Sequence, residues 1–146
     1  GFFLNAGEVD RMMDLVSSGR VRLQGELPPS AVRAIYQHSI ALLLPSLTEG
    51  FPLAVLESLS CGTPVVASDV GSINKVVTRQ SGILVPPADT DSLAAAILAI
   101  RQWDQSRLST NCRLSSQPFD IKRVAERYLV LFDEVLSRHR ERARSV

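Results

Sequence analysis

Apolar positions along the chain switch repeatedly between helical spacing and short continuous runs. Over residues 8–18, Val9, Met12, Met13, Leu15 and Val16 recur at helical spacing, and Gly19 stands where a left-handed cap would end that helix. Residues 21–25 alternate and stop at Gly25, which predicts a short strand. Pro28-Pro29-Ser30 opens a second helix, with Ser30 as its expected cap and Val32, Ile35 and Tyr36 on its apolar side. Residues 40–44 form an unbroken apolar run ended by Pro45, the pattern of a strand buried on both faces. Pro52 fits the first turn of a helix that reaches about Ser60 and is closed by Gly62. Residues 64–68 and 82–85 read as two more buried strands, and 91–101 as a helix. Residues 105–118 are polar and weakly patterned, which predicts a loop. A last helix is expected at about 121–140, with Val124, Tyr128, Leu131, Phe132 and Val135 on one stripe and a charged, fraying tail at 138–144.

Strands alternating with helices at short intervals predict the α/β class: a parallel, Rossmann-like, doubly wound sheet flanked by helices. Such sheets bind ligands beyond the C-terminal strand edge, where a strand hands over to a helix, and the turn at 46–52 lies at such an edge.

Bulk composition narrows the function. At 146 residues, 45% of them apolar, the chain is one domain at most, with enough apolar surface for a core. A net charge of +1 gives no field that would attract nucleic acid or a membrane surface. Five Phe, two Tyr and one Trp leave little for stacking single-stranded bases. Cys61 and Cys112 have neither disulfide-framework nor zinc-site spacing, which fits a reducing, cytoplasmic setting. No apolar run is long enough for a transmembrane segment. The chain opens at Gly1 within patterned sequence, so it reads as a fragment, and its lack of a signal peptide says nothing of a parent protein.

The richest chemistry lies in 44–57. The first turn of a helix leaves amides unpaired at the positive end of its dipole, and Gly50 allows a ligand close to the backbone. Gly50-Phe51-Pro52 therefore suits phosphate or sugar hydroxyls, or else it is a plain strand-to-helix turn with water on those amides. Glu49 precedes the helix and should face the cleft. Glu57 lies about a turn and a half inside it; Val55, Leu56 and Leu59 claim the core face, which leaves Glu57 facing the turn or solvent. A carboxylate accepts two hydroxyl protons at once and matches a vicinal diol. Charge compensation at a helix N-terminus accounts for the same two acids without a ligand.

From Arg20 to about Ile100 the chain resembles the C-terminal domain of family 4 glycosyltransferases, of the GT-B fold. The segments that carry the resemblance are 21–25, 36–46, 48–57, Cys61-Gly62-Thr63-Pro64-Val65-Val66-Ala67-Ser68-Asp69-Val70-Gly71 and 82–86. Glu49 and Glu57, with seven residues between them, match that family's E-x7-E motif. The resemblance implies transfer of a sugar from a nucleotide-diphosphate sugar to an acceptor, with retention of configuration and without a metal. In it, Glu49 bonds the donor sugar's hydroxyls and acts as the catalytic residue. Backbone at Gly50, Phe51, Pro52 and Leu53 holds sugar and diphosphate, Glu57 accepts from the ribose diol, and Leu27 marks where backbone meets the base. The proposed route is front-face attack, in which the protein positions and stabilises.

The chain departs from the family at Ser39-Ile40, Ser72 and Lys75, all off the donor turn. The family's domain starts with a strand, helix and strand ahead of the point matching Gly1, carrying a basic pair for the diphosphate, and an N-terminal acceptor domain precedes that. This chain therefore reads as an incomplete C-terminal half of a GT-B fold, 1–146, that supplies most of the donor side and is inactive alone. With those central strands missing, it is expected to be marginally stable or aggregation-prone unless another chain or a rearranged pairing fills the gap.

Other features have simpler explanations. Asp89-Thr90-Asp91 looks like a metal-binding D-x-D but sits where a helix cap belongs. His38 and His139 lack acid partners, Cys61 reads as a small packed residue, and the basic run at Arg138, His139, Arg140, Arg142 and Arg144 reads as a solvated helix end. Two rival functions stay open: a non-catalytic binding or regulatory fragment of the same fold, and a nucleotide-sugar epimerase, which would yield an epimer without a glycosidic bond.

Overall fold

The computed structural model describes residues 6–144, apart from the side chains of residues 6, 105 and 140–144. It divides into two compact units, Gly1–Val32 and Arg33–Val146.

The first unit holds helix α1 (Ala6–Ser17) and the start of α2 (Pro29–His38). Gly19 caps α1 as expected: its amide donates to the Val16 carbonyl, and the Arg20 amide donates to that of Leu15. The strand expected at 21–25 does not form. The Val21 amide is already committed to the Leu15 carbonyl, and no strand among the described residues lies alongside to offer a ladder. Ser30 does not cap α2. The chain enters that helix at Pro28, whose carbonyl accepts from the Ala31 and Val32 amides, and Pro29 takes the first helical position, where a missing N–H costs nothing.

The second unit is built on a three-stranded parallel sheet, β1 (Leu42–Leu44), β2 (Val65–Ser68) and β3 (Gly82–Val85), in that order. Leu42 pairs with Val65, and Val65 with Gly82. Side chains alternate across a strand, so β2 feeds two cores. Val65 and Ala67 pack with Val55 and Leu59 of α3 (Leu53–Ser60) and with Leu108 and Cys112 of α5 (Gln105–Ser116). Val66 packs on the other face with Ala96 and Ile100 of α4 (Thr90–Ile100). Helices thus cover both faces, as a doubly wound sheet requires. Asp89 caps α4, its carboxylate accepting from the Ser92 amide at 2.9 Å and the Ser92 hydroxyl at 2.6 Å, which accounts for the D-x-D sequence without a metal. Both hydrogen bonds hold the Asp89 carboxyl below its ordinary value.

Three expectations are corrected here. The run 40–44 is not buried on both faces: β1 spans only Leu42–Leu44 at the sheet edge, and Leu43 is 45% exposed because α4 packs on β2 and β3 rather than β1. Residues 105–118 form α5 and a 3₁₀ turn (Gln117–Phe119) rather than a loop. Leu108 and Cys112, one turn apart, bury a stripe too narrow to register as periodicity, and the Asp104 carboxylate caps the Ser106 amide. The last helix, α6, runs Ile121–Arg144, beyond the end expected at about 140, while the side chains of Arg140, Arg142 and Arg144 lie outside the described residues.

Two outcomes follow for stability. A methyl on Gly82 runs into the Val65 carbonyl oxygen and lies 2.7 Å from Val77 Cγ1, so Gly82→Ala should lower the unfolding free energy by about 2 kcal/mol in urea titration. The exposed edge at Leu43 invites strand addition, so Leu43→Lys should reduce light scattering at high concentration while leaving the melting temperature within a few degrees.

Candidate functional site

The chain leaves β1 at Leu44, passes through Pro45 and Ser46, and turns at residues 49–52 into α3. This places the turn beyond the C-terminal end of a parallel strand, in front of a helix N-terminus. Pro52 is the cap of α3 rather than part of its first turn, with φ −74° and ψ 106°; its carbonyl accepts from the Val55 amide at 3.2 Å. Pro52 is buried, whereas Gly50 is open, Phe51 is 44% exposed and Leu53 is 66% exposed. A buried cap therefore anchors a turn in which Gly50 and Phe51 are exposed.

Glu49 is half-buried, and its Oε1 accepts a 2.7 Å hydrogen bond from Ser46 Oγ. Beneath the same backbone lies the turn that follows β2. There Gly71 takes φ +59°, and a Cβ at that position would drive into the Glu49 carbonyl oxygen, with Gly50 O at 3.3 Å. The Ser72 amide donates to the Gly50 carbonyl at 3.3 Å. Ser46 and Gly71 were not among the site residues expected from sequence. The Ser72–Gly50 bond joins residues that only the folded strand ends bring together, whereas Ser46, three positions before Glu49, has a spacing that a turn could have flagged.

Glu57 is exposed, on the flank of α3 away from buried Val55 and Leu59. It lines a cleft of about 480 Å³ with Leu56, Ser60, Arg113, Phe119 and Arg123. The Tyr36 hydroxyl is pushed up in pKa by burial first and then by the nearby Glu57 carboxylate. Phe119 also packs on Phe51, ring centroids 5.5 Å apart, so one aromatic pair connects the Glu57 cleft with the turn at 49–52. Arg113 escaped the sequence reading because residues 105–118 were read as loop, whereas Phe119 and Arg123 lie beyond that segment and join the cleft only through the packing of the folded chain. Leu27 is half-buried in the extended stretch before α2 and belongs to the first unit.

The remaining candidates are accounted for locally. His38 Nδ1 bonds the Ala34 carbonyl at 2.8 Å within its own helix. Cys61 is half-buried at the end of α3, where its amide closes the helix onto the Glu57 and Ser58 carbonyls. Burial pushes the Cys112 thiol up to about 12, a value at which it stays protonated. Among the described residues, no cluster of His, Cys, Asp and Glu is placed to hold a metal ion, and no helix is long and apolar enough to cross a membrane.

Comparison with known proteins gives this geometry a family. Residues 3–102 match the family described as glycosyl transferases group 1. The chain is 36% identical over 104 residues to an O-antigen chain mannosyltransferase B of Escherichia coli, covering 68% of this chain and 27% of that protein. It is 35% identical over 115 residues to a D-inositol 3-phosphate glycosyltransferase of Saccharomonospora viridis, covering 77% of this chain and 27% of the relative. Among solved structures, sucrose-phosphate synthase from Thermosynechococcus elongatus superposes with a TM-score of 0.74 at 31% identity, over 90% of this chain and 35% of the synthase. The chain thus spans about a quarter of the length of these curated relatives. With its parallel sheet and its strand-to-helix turn in the GT-B arrangement, this chain belongs to the group 1 glycosyltransferases.

Proposed function

We propose that the chain is most of the donor-binding half of a longer, retaining, nucleotide-sugar-dependent glycosyltransferase. The observation that carries this reading is the open turn at 49–52, where a half-buried carboxylate meets exposed backbone at the head of α3. In it the Glu49 carboxylate accepts from hydroxyls of the donor sugar. The amides of Gly50, Phe51 and Leu53 face the sugar and diphosphate, where a helix dipole favours negative charge. Pro52 has no N–H to give and serves by fixing the angle at which the helix starts. Glu57 accepts from the ribose diol.

The reaction assigned is front-face displacement without a protein nucleophile or a metal. The acceptor hydroxyl attacks the anomeric carbon on the face that the diphosphate leaves, and the departing phosphate oxygen takes the acceptor's proton. The protein then contributes orientation and preorganised donors and acceptors, the terms that dominate when no covalent intermediate forms. An N-terminal domain supplies the acceptor. Relatives named as a mannosyltransferase and as a D-inositol 3-phosphate glycosyltransferase share similarity with this one segment, which fits a segment that handles the part of the donor common to both.

Donor titration and transfer assays on the longer enzyme test the assignment. Glu49→Ala should reduce kcat by about 100-fold or more, whereas Glu57→Ala should weaken nucleotide affinity about tenfold with kcat little changed. Wild-type behaviour in both variants would refute these roles. Gly50→Ala separates ligand approach from folding: an added Cβ meets nothing within 4 Å of the protein. Its unfolding free energy should stay within about 0.5 kcal/mol of wild type while donor affinity falls about tenfold, and unchanged affinity would argue against backbone contact there.

A further inference from the structure

Glu49 carries the proposed chemistry, yet it stands in a turn, the kind of segment that moves unless something holds it. Two separate contacts hold this one. The first acts on the side chain. Ser46, half-buried on the way out of β1, donates to Glu49 Oε1 at 2.7 Å. A carboxylate tied through one oxygen has its plane fixed, which decides where its second oxygen can meet a hydroxyl. The second acts on the backbone. Residues 69–75, directly after β2, pack against the peptide units of Glu49 and Gly50 so closely that position 71 has no room for a side chain. The Ser72 amide closes onto the Gly50 carbonyl, and the turn is itself braced by Asn74 Nδ2 donating to Asp69 Oδ1 at 3.1 Å and by fully buried Ile73. The left-handed φ of +59° at Gly71 is what lets the backbone come this near.

We propose that Ser46 and the Gly71-Ser72 turn are positioning elements for the donor site, Ser46 aiming the Glu49 carboxylate and Gly71-Ser72 fixing the Glu49–Gly50 backbone against the end of β2. This rests on the reading of Glu49 as the sugar-binding acid. Their placement differs from that of the donor contacts: each touches Glu49 or Gly50 from the protein side. Because β1 and β2 are adjacent in the sheet, the brace converts strand pairing into the position of a carboxylate. A displacement of about 1 Å at a reacting group costs on the order of 100-fold in rate, so the two contacts have leverage out of proportion to their size.

The test uses the longer enzyme and four variants, read by kcat, donor KM and melting temperature. Ser46→Ala removes one hydroxyl from a half-buried site and should lower kcat about tenfold, with KM changed less than about threefold and the melting temperature held. Ser46→Thr keeps the hydroxyl and should restore kcat to within about threefold of wild type. Gly71→Ala should lower kcat by about 100-fold, since the new methyl must push the Glu49 carbonyl away. Glu49→Ala sets the floor. If Glu49→Ala is inactive while Ser46→Ala and Gly71→Ala transfer at the wild-type rate, the positioning proposal is wrong and the donor reading survives. A Ser46→Ala defect that Thr does not restore, or that follows a fallen melting temperature, likewise overturns it. Full activity in Glu49→Ala removes the donor reading and the proposal together.

Discussion

The fold depends on β2. All four of its residues are buried, and their alternation sends Val65 and Ala67 into one core and Val66 into the other. A strand buried on both faces tolerates no shift in register, because a slip of one residue would exchange the two sets of side chains. Parallel pairing to β1 and β3 then fixes where those strands end, and the ends are where the chemistry lies. The positions of Ser46 and Glu49 are in this sense set by Val65 and Val66, which touch neither.

The polar groups inside this frame are paired, and the pairing joins elements that packing alone would leave free to slide. The buried Ser58 hydroxyl at the end of α3 donates to the Thr63 carbonyl, and the Thr63 hydroxyl donates to the Tyr36 carbonyl at the end of α2. Cys112 on α5 points its sulfur at the Ser81 carbonyl, 3.7 Å away, just ahead of β3. Each bond is modest in net energy, but a buried donor or acceptor left alone costs more than the bond contributes, so these contacts select one arrangement of helices on the sheet. Helix α6 differs: Tyr128, Leu131, Phe132 and Val135 on its apolar stripe are each half or more exposed, and the helix contacts the 3₁₀ turn at Gln117–Phe119 at its base.

Much of the architecture was legible in the sequence because its signals are local. Short β-branched and apolar runs at 64–67 and 82–85, bounded by turn residues, carried strand character, and Gly19 and Gly62 marked helix ends by their place after periodic segments. What misled was of two kinds. The alternation at 21–25 has strand character, but a strand exists only with a neighbour, and the amide of Val21 went to α1 instead. The polar segment at 105–118 lacked a broad apolar face, yet burial of Leu108 and Cys112 against α3 was enough to hold a helix whose cap at Asp104 was present in the sequence. Pairing and burial are properties of the whole chain, and propensity within a short window does not contain them.

By itself, then, the sequence determined most of the element types, the parallel sheet, the turn before α3 and the acids at 49 and 57, since each follows from spacing along the chain. Only the tertiary structure decided that the backbone after β2 closes against Gly50 and that Arg113, Phe119 and Arg123 share a cleft with Glu57. These are contacts between segments brought together by strand pairing and helix packing, and their distances depend on how neighbouring side chains fill the space between layers. A residue's own neighbours in sequence carry no record of that space.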